Sequence, residues 1–189
     1  VGFDNVITVD MGGTSTDVCL VNKGKPLVTT ENKLSGLPSA VPMIDISSVG
    51  AGGGSIAWLD EGGMLRVGPR SAGADPGPAC YDRGGQQVPV TDCDLWRGII
   101  RPEKFAGGNY PLSRAASEKA IGTLAAKLDM DNDLVAESVT KIAESNMMQA
   151  IRVVSTQRGH DPREYVLVAF GGAGPVHAVG LAEELGMEK

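Results

Sequence analysis

The sequence predicts a mixed α/β fold whose sheet begins with an antiparallel hairpin and is flanked by helices. Three observations support this prediction. Short β-branched runs dominate the first third of the chain, stretches with helical spacing follow residue 113, and a strand, a glycine loop and a helix close the chain. With 189 residues, 42% of them hydrophobic, the chain can bury a core of its own.

The opening hairpin contains the most informative motif of the chain. Residues 6–9 and 18–21 are typical of strands, and residues 10–17 between them are Asp-Met-Gly-Gly-Thr-Ser-Thr-Asp. Backbone N–H groups of a glycine turn, together with hydroxyl groups, suit phosphate oxygens, and carboxylates suit Mg²⁺ or an attacking water. Because this loop joins two strands, it differs from the helix-opening P-loop, and no GxxxxGK[ST] motif occurs.

The following segments predict more strands and a long ordered loop. A turn at 22–25 leads to a strand at 26–29, and residues 44–46 lead to a second glycine cluster at 50–55. The sequence Asp60-Glu61-Gly62-Gly63 between two apolar runs indicates a hairpin. Residues 68–87 are rich in Gly and Pro but too apolar for a plain linker, which favours an ordered functional loop.

The last third predicts helices and a final strand–loop–helix unit. Ser113 can cap a helix that runs to about Leu128, and a second helix begins near Asp131 or Asn132 and runs to Arg158. A strand at 165–170 then precedes the glycine loop at 171–175 and a helix that ends near Leu185. Such a loop places backbone N–H groups and a helix N-terminus where a phosphate could bind.

We therefore expect one domain fragment over residues 1–189. Its predicted parts are a β-rich phosphate-loop region at 1–67, a Gly/Pro-rich ordered loop region at 68–112 and a helical region at 113–189.

Composition excludes several classes of protein. A net charge of −6 argues against nucleic acid as the main partner, because phosphate backbones require a basic surface. The apolar runs are far shorter than the ~20 residues of a membrane span. The three cysteines form no CxxC pair, which favours a reduced, cytoplasmic setting without disulfides.

Other enzyme classes fit the residues less well. Gly172-Ala173-Gly174 follows a strand and opens a helix, as in a dinucleotide fold, but His177 stands at the third glycine position of that motif. The only histidines, His160 and His177, share no HxH or HExxH spacing, so a zinc site with several imidazole ligands cannot form within this chain. No GxSxG nucleophile motif occurs.

Several single residues admit two interpretations. Asp75 precedes a proline, which often only starts a turn, although burial among small residues would allow catalysis or cation binding. Asp92 has the same ambiguity at the end of a short predicted strand. His177, in the first turn of the last helix, either packs and caps or contacts a substrate.

Taken together, the motifs resemble those of the hydantoinase A / 5-oxoprolinase family, which includes N-methylhydantoinases and the acetone carboxylase β-subunit. The matching stretches are DMGGTSTDV (10–18), GAGGGSIAW (50–58), VGPRSAGADPGPACYDRGG (67–85), VTD (90–92) and FGGAGPVHA (170–178). After VTD the family more often continues with Ala-Asn, where this chain has Cys93-Asp94.

The resemblance implies a fold and a set of site residues. The fold would be one half of the actin / sugar kinase / Hsp70-like (ribonuclease H-like) type, with ATP in a cleft between two halves. The resemblance and the glycine loops together give a set of expected nucleotide contacts. These are Gly12, Gly13, Thr14, Thr16, Gly52, Gly53, Gly171, Gly172 and Gly174. Asp10 would hold Mg²⁺ or its water shell, and Asp10, Asp17 and Asp75 are the candidate catalytic carboxylates.

The activity implied by the resemblance is the ATP-dependent opening of a cyclic amide such as hydantoin, N-methylhydantoin or 5-oxoproline. ATP would phosphorylate the carbonyl oxygen and make the carbon electrophilic enough for water. The alternatives are an acetone carboxylase subunit and, for the isolated chain, a non-catalytic binding or assembly module. The expected partners are an N-terminal half of the same protein with its own Asp-Gly-Gly-Thr loop, and a hydantoinase B-type subunit or domain.

Overall fold

The predicted hairpin lies at the centre of the larger sheet. Strand β1 (Val6–Met11) pairs antiparallel with β2 (Thr16–Asn22) in the computed structural model, which describes residues 2–34 and 37–189. Two further strands pair with β2, namely β3 (Lys25–Pro26) and β8 (Ile46–Val49), and β12 (Val166–Phe170) pairs parallel with β1. The result is the mixed sheet that the sequence predicts.

The remaining strands form one three-stranded sheet and two small ribbons. The three-stranded sheet has the order β10 (Leu65–Ser71), β9 (Ser55–Leu59), β11 (Val88–Pro89). The predicted turn between β9 and β10 is confirmed, and the Asp60 carboxylate accepts hydrogen bonds from the backbone N–H groups of Gly62 and Met64. The ribbons are β4 (Val28–Thr29) with β7 (Met43–Ile44) and β5 (Asn32–Leu34) with β6 (Leu37–Ser39).

The described part of the chain has four α-helices that pack against these sheets, and their ends follow the capping residues. They are α1 (Val90–Trp96), α2 (Arg114–Leu128), α3 (Asn132–Val154) and α4 (Gly174–Leu185). Ser113 and Asp131 each accept a hydrogen bond from a backbone N–H of the first turn, of α2 and α3 respectively. Gly186 ends α4 in the left-handed conformation. Short 3₁₀ turns lie at Ala79–Tyr81, Thr156–Arg158 and Pro162–Glu164, and the segment Pro102–Gly108 has 3₁₀ character that is interrupted by non-helical backbone at Phe105, Ala106 and Gly107.

Two predicted boundaries differ from the structure. The boundary at 67–68 falls inside β10, which continues to Ser71, and the expected loop region contains α1. Helix formation there has a packing reason, because residues 90–95 are all buried. The second long helix ends at Val154 and not at Arg158, since Ser155 leaves helical geometry before a separate 3₁₀ turn.

Two hydrophobic cores lie side by side, and α3 runs through both. The first half of α3, with Val135 and Val139, packs with α1, α2 and the three-stranded sheet. The second half, with Met147 and Ile151, packs against β1, β2 and α4. The apolar face of this helix thus joins the two layers.

No helix within residues 2–34 and 37–189 combines the length and the apolar character needed to cross a membrane.

Candidate nucleotide-binding site

Strand direction brings three glycine loops to one end of the larger sheet. Strands β1 and β12 are parallel, and Asp10 pairs with Phe170, so the loops that follow these strands are neighbours. Strand β8 runs antiparallel to β2, and Val49 pairs with Thr16, which places the second glycine cluster beside the same loop. The convergence expected from the motifs is therefore a consequence of strand register.

Backbone hydrogen bonds join the first two loops. Gly53 donates its N–H to the carbonyl of Gly12 (3.0 Å) and Gly54 donates to that of Gly13 (2.7 Å). A Cβ atom on Gly52 would lie 2.6 Å from the backbone nitrogen of Thr14, closer than atoms can approach. Glycine at 52 is therefore required for this contact.

The third loop closes over the end of β1. Ala173 donates its N–H to the carbonyl of Met11 (2.9 Å). Gly171 has a φ of +82° and its backbone lies directly against the Asp10 carboxylate, where a side chain would collide. The position of the Asp10 side chain is thus set by the backbone of a loop 160 residues away in sequence.

A cavity of about 230 Å³ lies where the loops meet. A Cβ atom added to Gly12, Gly13 or Gly172 would meet no atom within 4 Å, so the backbone of both loops borders open space. The lining residues are Gly12, Gly13, Gly53, Tyr81, Thr91, Asp94, Ile100, Phe105, Gly172, Ala173 and Val176. Glycine backbone, apolar side chains and one carboxyl residue form a site that suits a ligand with a charged and an apolar part.

The N-terminus of α4 opens at the same cavity. This twelve-residue helix has no side-chain cap, Pro175 stands in its first turn, and Ala173 at its N-cap lines the cavity. Its first N–H groups are therefore not used by a capping side chain, and the helix dipole favours an anion there.

The two carboxylates of the first motif are neighbours. Asp10 and Asp17 are paired in the antiparallel register of β1 and β2, so both side chains leave the same face of the sheet. Asp10 is half-buried, whereas Asp17 is exposed and its Oδ1 accepts a hydrogen bond from Ser48 Oγ. Only Asp10 is also in contact with the loop of Gly171.

Three predicted nucleotide contacts have another structural role. Thr16 is fully buried, and its hydroxyl donates to the carbonyl of Ala51. The N–H of Gly52 donates to Ser55 Oγ and that of Gly53 to Gly12. Since these donors are already satisfied inside the protein, Thr16, Gly52 and Gly53 position the first loop and do not offer these groups to a phosphate.

Asp75 is not buried among small residues, as a role in catalysis or cation binding would require. It is exposed, in a turn between Gly73 and Gly77, both of which have positive φ. The contact with the first loop is made just before this turn, where Ser71 Oγ donates to the carbonyl of Gly13 (3.4 Å). Residues 71–73 therefore adjoin the loops, and the Asp75 side chain points to the surface.

Comparison with known proteins decides the family. The Hydantoinase/oxoprolinase family model matches residues 1–189. The chain belongs to the hydantoinase/oxoprolinase family. It is 45% identical to the caprolactamase subunit alpha of Pseudomonas jessenii over 98% of its length, and 38% identical to the 5-oxoprolinase of Dictyostelium discoideum over 97%. It spans only 27% of the first of these relatives and 16% of the second.

Solved structures confirm the fold. The crystal structure of the ATP-dependent caprolactamase from Pseudomonas jessenii matches with a TM-score of 0.89 at 44% identity, and the match covers 99% of this chain and 27% of the other. Nucleotide-free acetone carboxylase, from work on ATP-dependent acetone carboxylation, matches with the same TM-score at 33% identity and the same coverage. The mixed α/β half predicted from the motifs is thus the fold of this hydantoinase/oxoprolinase chain.

A buried carboxylate orders the Gly/Pro-rich loop of this hydantoinase/oxoprolinase chain. Asp92, in the first turn of α1 and not at a strand end, is fully buried. Its two oxygens accept the N–H groups of Ala79 and Cys80, each at 2.8 Å, and the hydroxyl of Ser117. Burial raises the pKa of this carboxyl, although the three hydrogen bonds oppose that shift. Asp92 therefore has a structural role.

Replacing Asp92 with alanine should release the loop, because two buried N–H groups lose their acceptor at a cost of roughly 1–3 kcal/mol each. Cys80 is fully buried beside this carboxylate, so its alkylation by a maleimide reports the opening. We expect its labelling rate in the full-length protein, measured by peptide mass spectrometry, to rise by about tenfold or more. Glu118→Ala, on the exposed face of α2, is the matched control, and equal rates in the two variants would contradict this role.

A second buried cluster lies behind the cavity in this hydantoinase/oxoprolinase chain. His177 is 1% exposed, with Nδ1 at 3.2 Å from Glu144 Oε1 and Nε2 at 3.5 Å from Asp94 Oδ2. Asp94 is 2% exposed, and Thr140 Oγ1 lies 3.3 Å from its other oxygen. Burial raises the pKa of Asp94 to about 6, against the opposing influence of His177. His177 thus packs inside the protein and is not at the cavity surface.

The cluster contains residues that the sequence analysis did not select. Glu144 belongs to the amphipathic pattern of α3, and no motif marks it. Gly180 gives the one signal, because a Cβ atom there would lie 2.8 Å from the Glu144 carboxylate. A glycine inside a helix is unfavourable and usually has a packing reason.

Metal ligands are few in the described residues. Residues 2–34 and 37–189 contain no group of three or more His, Cys, Asp and Glu side chains placed to share a metal ion. One half-buried carboxylate beside open backbone fits Mg²⁺, since Mg²⁺ is usually bound by one or two carboxylates together with water and substrate phosphates. Asp10, half-buried beside the open backbone of Gly12 and Gly13, has the required chemistry.

Proposed function

We propose that this chain forms one half of the ATP site in an enzyme that opens a cyclic amide. The observation that carries the proposal is the convergence of the three glycine loops on one cavity, beside Asp10 and an uncapped helix N-terminus. The similarity to an ATP-dependent caprolactamase and to 5-oxoprolinases supports the same class of reaction.

Each residue of the site would have a distinct task. The open backbone of Gly12, Gly13 and Gly172, with Thr14, Gly171 and Gly174 beside it, would bind the phosphates and the adenosine side of ATP. Asp10 would hold Mg²⁺ or its water shell, and Asp17 would add negative charge on the same face. Thr16, Gly52 and Gly53 would keep the first loop in place. A catalytic role for Asp75 stays a prediction, and its exposure gives it no support.

The proposed chemistry activates the amide before water attacks. Phosphoryl transfer from ATP to the carbonyl oxygen releases ADP and converts that oxygen into part of a leaving group. Water would then add to the carbon, and the C–N bond of the ring would break with protonation of the nitrogen, which leaves an acyl phosphate. A second water would hydrolyse the acyl phosphate to the carboxylate and free phosphate. The protein contributes positioning and electrostatic stabilisation, as expected for phosphoryl transfer.

The test uses the full-length protein and measures ADP release. Caprolactam, 5-oxoproline, hydantoin and N-methylhydantoin are offered singly with ATP and Mg²⁺. We expect at least one to stimulate ADP release by about tenfold or more, with stoichiometric ring-opened product. No stimulation by any cyclic amide would contradict the proposal.

Carboxylation of a ketone is the second candidate, because acetone carboxylase matches with a TM-score of 0.89. Both activities would use ATP to activate a carbonyl oxygen. The same ADP assay with acetone or acetophenone and bicarbonate separates the two activities. Stimulation by a ketone with bicarbonate, but by no cyclic amide, would favour the carboxylase.

We propose that the isolated 189-residue chain is inactive. On its own it would act only as a binding or assembly module. It spans 27% of the caprolactamase subunit, so the opposite half of the cleft and a hydantoinase B-type subunit or domain are the proposed partners. A cytoplasmic location is proposed on the three free cysteines Cys19, Cys80 and Cys93, which form no disulfide within the chain.

A further inference from the structure

A chain of titratable groups connects the interior of the protein to the cavity. It consists of Glu144 on α3, His177 on α4 and Asp94 on α1, and we call it the Glu144–His177–Asp94 chain. Helix packing brings the three together from separate elements. Asp94 is a member of this group and also lines the cavity formed by the glycine loops.

The imidazole in this chain has an unused polar atom. His177 is 1% exposed, and its Nε2 has no hydrogen-bond partner within the described residues. The nearest acceptor is Asp94 Oδ2 at 3.5 Å, which is within reach of an ion pair but too long for a good hydrogen bond. An unpartnered buried nitrogen costs free energy, so its retention next to a cavity carboxyl requires a reason.

The charges around Asp94 come from all the helices that pack on it. His177 on α4 and Arg97, at the C-terminal end of α1, favour its ionised form, and Glu144 on α3 disfavours it. Two carboxylates and one imidazole thus share a site almost closed to water, where not all protonation states are equally stable. A new negative charge in the cavity would change the balance.

We propose that Asp94 takes up a proton when an anionic ligand binds in the cavity, and that His177 is the positioning residue that holds this carboxyl at the cavity wall. The inference rests on the proposed function only in taking the ligand to be a nucleotide phosphate. Phosphate beside Asp94 makes the ionised carboxyl less stable, and Asp94 then takes up a proton from solvent. The glycine loops bind the anion, and protonation of Asp94 removes the repulsion between its carboxylate and the bound phosphate.

Calorimetry measures this proton directly. Binding of a non-hydrolysable ATP analogue with Mg²⁺ to the full-length protein is titrated in several buffers of different ionisation enthalpy, and the slope gives the number of protons taken up. The protein variants are compared at one pH, so the titration of the nucleotide itself cancels. At about pH 6.5 we expect the wild type to take up on the order of half a proton more than Asp94→Asn.

The pH dependence and the second variant sharpen the test. With the Asp94 pKa at about 6, the difference should be largest near pH 6.5 and should disappear by about pH 8.5. His177→Gln should lose the same uptake while keeping a polar group of similar size. Glu137→Gln, an exposed carboxylate on the same helix as Glu144, should leave the uptake unchanged.

The outcomes are distinct. Absence of binding by the wild type would contradict the proposed function, whereas binding with equal proton uptake in the wild type and Asp94→Asn would overturn this inference alone. If Asp94→Asn and His177→Gln do not fold, Glu144→Gln decides, because its side chain is 18% exposed and tolerates change better. Reduced uptake in that variant supports the inference, and unchanged uptake overturns it.

Discussion

Replacing Asp10 with asparagine in the full-length protein should lower ATP-dependent ADP release by about 100-fold or more. Asparagine has the same shape, so β1 and its contact with Gly171 stay intact. The variant loses the negative charge that would hold Mg²⁺ or its water shell at the end of the strand. The measurement is kcat/KM for ADP release, followed as a function of Mg²⁺ concentration.

The control for Asp10 is a carboxylate of no proposed function. Glu61 lies exposed in the turn between β9 and β10, and Glu61→Gln should retain wild-type turnover. Asp10→Asn activity within twofold of the wild type would remove Asp10 from the site. Loss of turnover without any change in Mg²⁺ dependence would instead assign it to water activation.

Gly52→Ala should weaken nucleotide binding and destabilise the site. The added Cβ would lie 2.6 Å from both the carbonyl carbon of Gly13 and the nitrogen of Thr14. Neither is a flexible side-chain end, so the first loop must move away from the second. We expect a free-energy cost of about 1–3 kcal/mol and at least a tenfold loss of affinity for the ATP analogue, measured by calorimetry.

Substitutions at two other glycines distinguish an effect on protein stability from an effect on nucleotide binding. Gly13→Ala adds a methyl group to open space, so thermal stability should stay near the wild-type value while nucleotide affinity falls. Gly122→Ala lies in α2, where alanine meets only ordinary contacts and should raise stability by roughly 0.5–1 kcal/mol without affecting affinity. Wild-type affinity in Gly52→Ala would show that the loop contact is not needed for binding.

Local elements of the fold were predictable because local chemistry specifies them. The hairpin turn at Asp60, the caps at Ser113 and Asp131 and the stop at Gly186 each depend on residues within one turn of the boundary. The break after Val154 was not predictable in this way, since no glycine or proline marks it before Gly159 and the change occurs in the backbone of Ser155.

The site was predictable as a set of loops and less so as a set of contacts. Glycine loops at strand ends indicated where backbone would come close. Whether an N–H faces a ligand or another loop depends on strand pairing, which explains why Gly53 donates inward to Gly12. Thr16 points inward for a related reason, because alternation along β2 places it with Val18 on the buried face.

The buried carboxylates were the least predictable part. The neighbours of Asp92 are Ala79, Cys80 and Ser117, and those of Asp94 are Thr140 and His177, all distant in sequence. The turn at Asp75 shows the reverse case, in which a residue flanked by small neighbours is exposed. Burial of a charged side chain depends on how helices dock, which one sequence does not specify.

The passage of α3 through both hydrophobic cores has a thermodynamic consequence. A helix of 23 residues that contributes buried side chains to two layers cannot leave one layer without withdrawing from the other. We therefore expect the two layers to unfold together, because α3 ties the sheet that carries the first glycine loop to the sheet that follows the second glycine cluster.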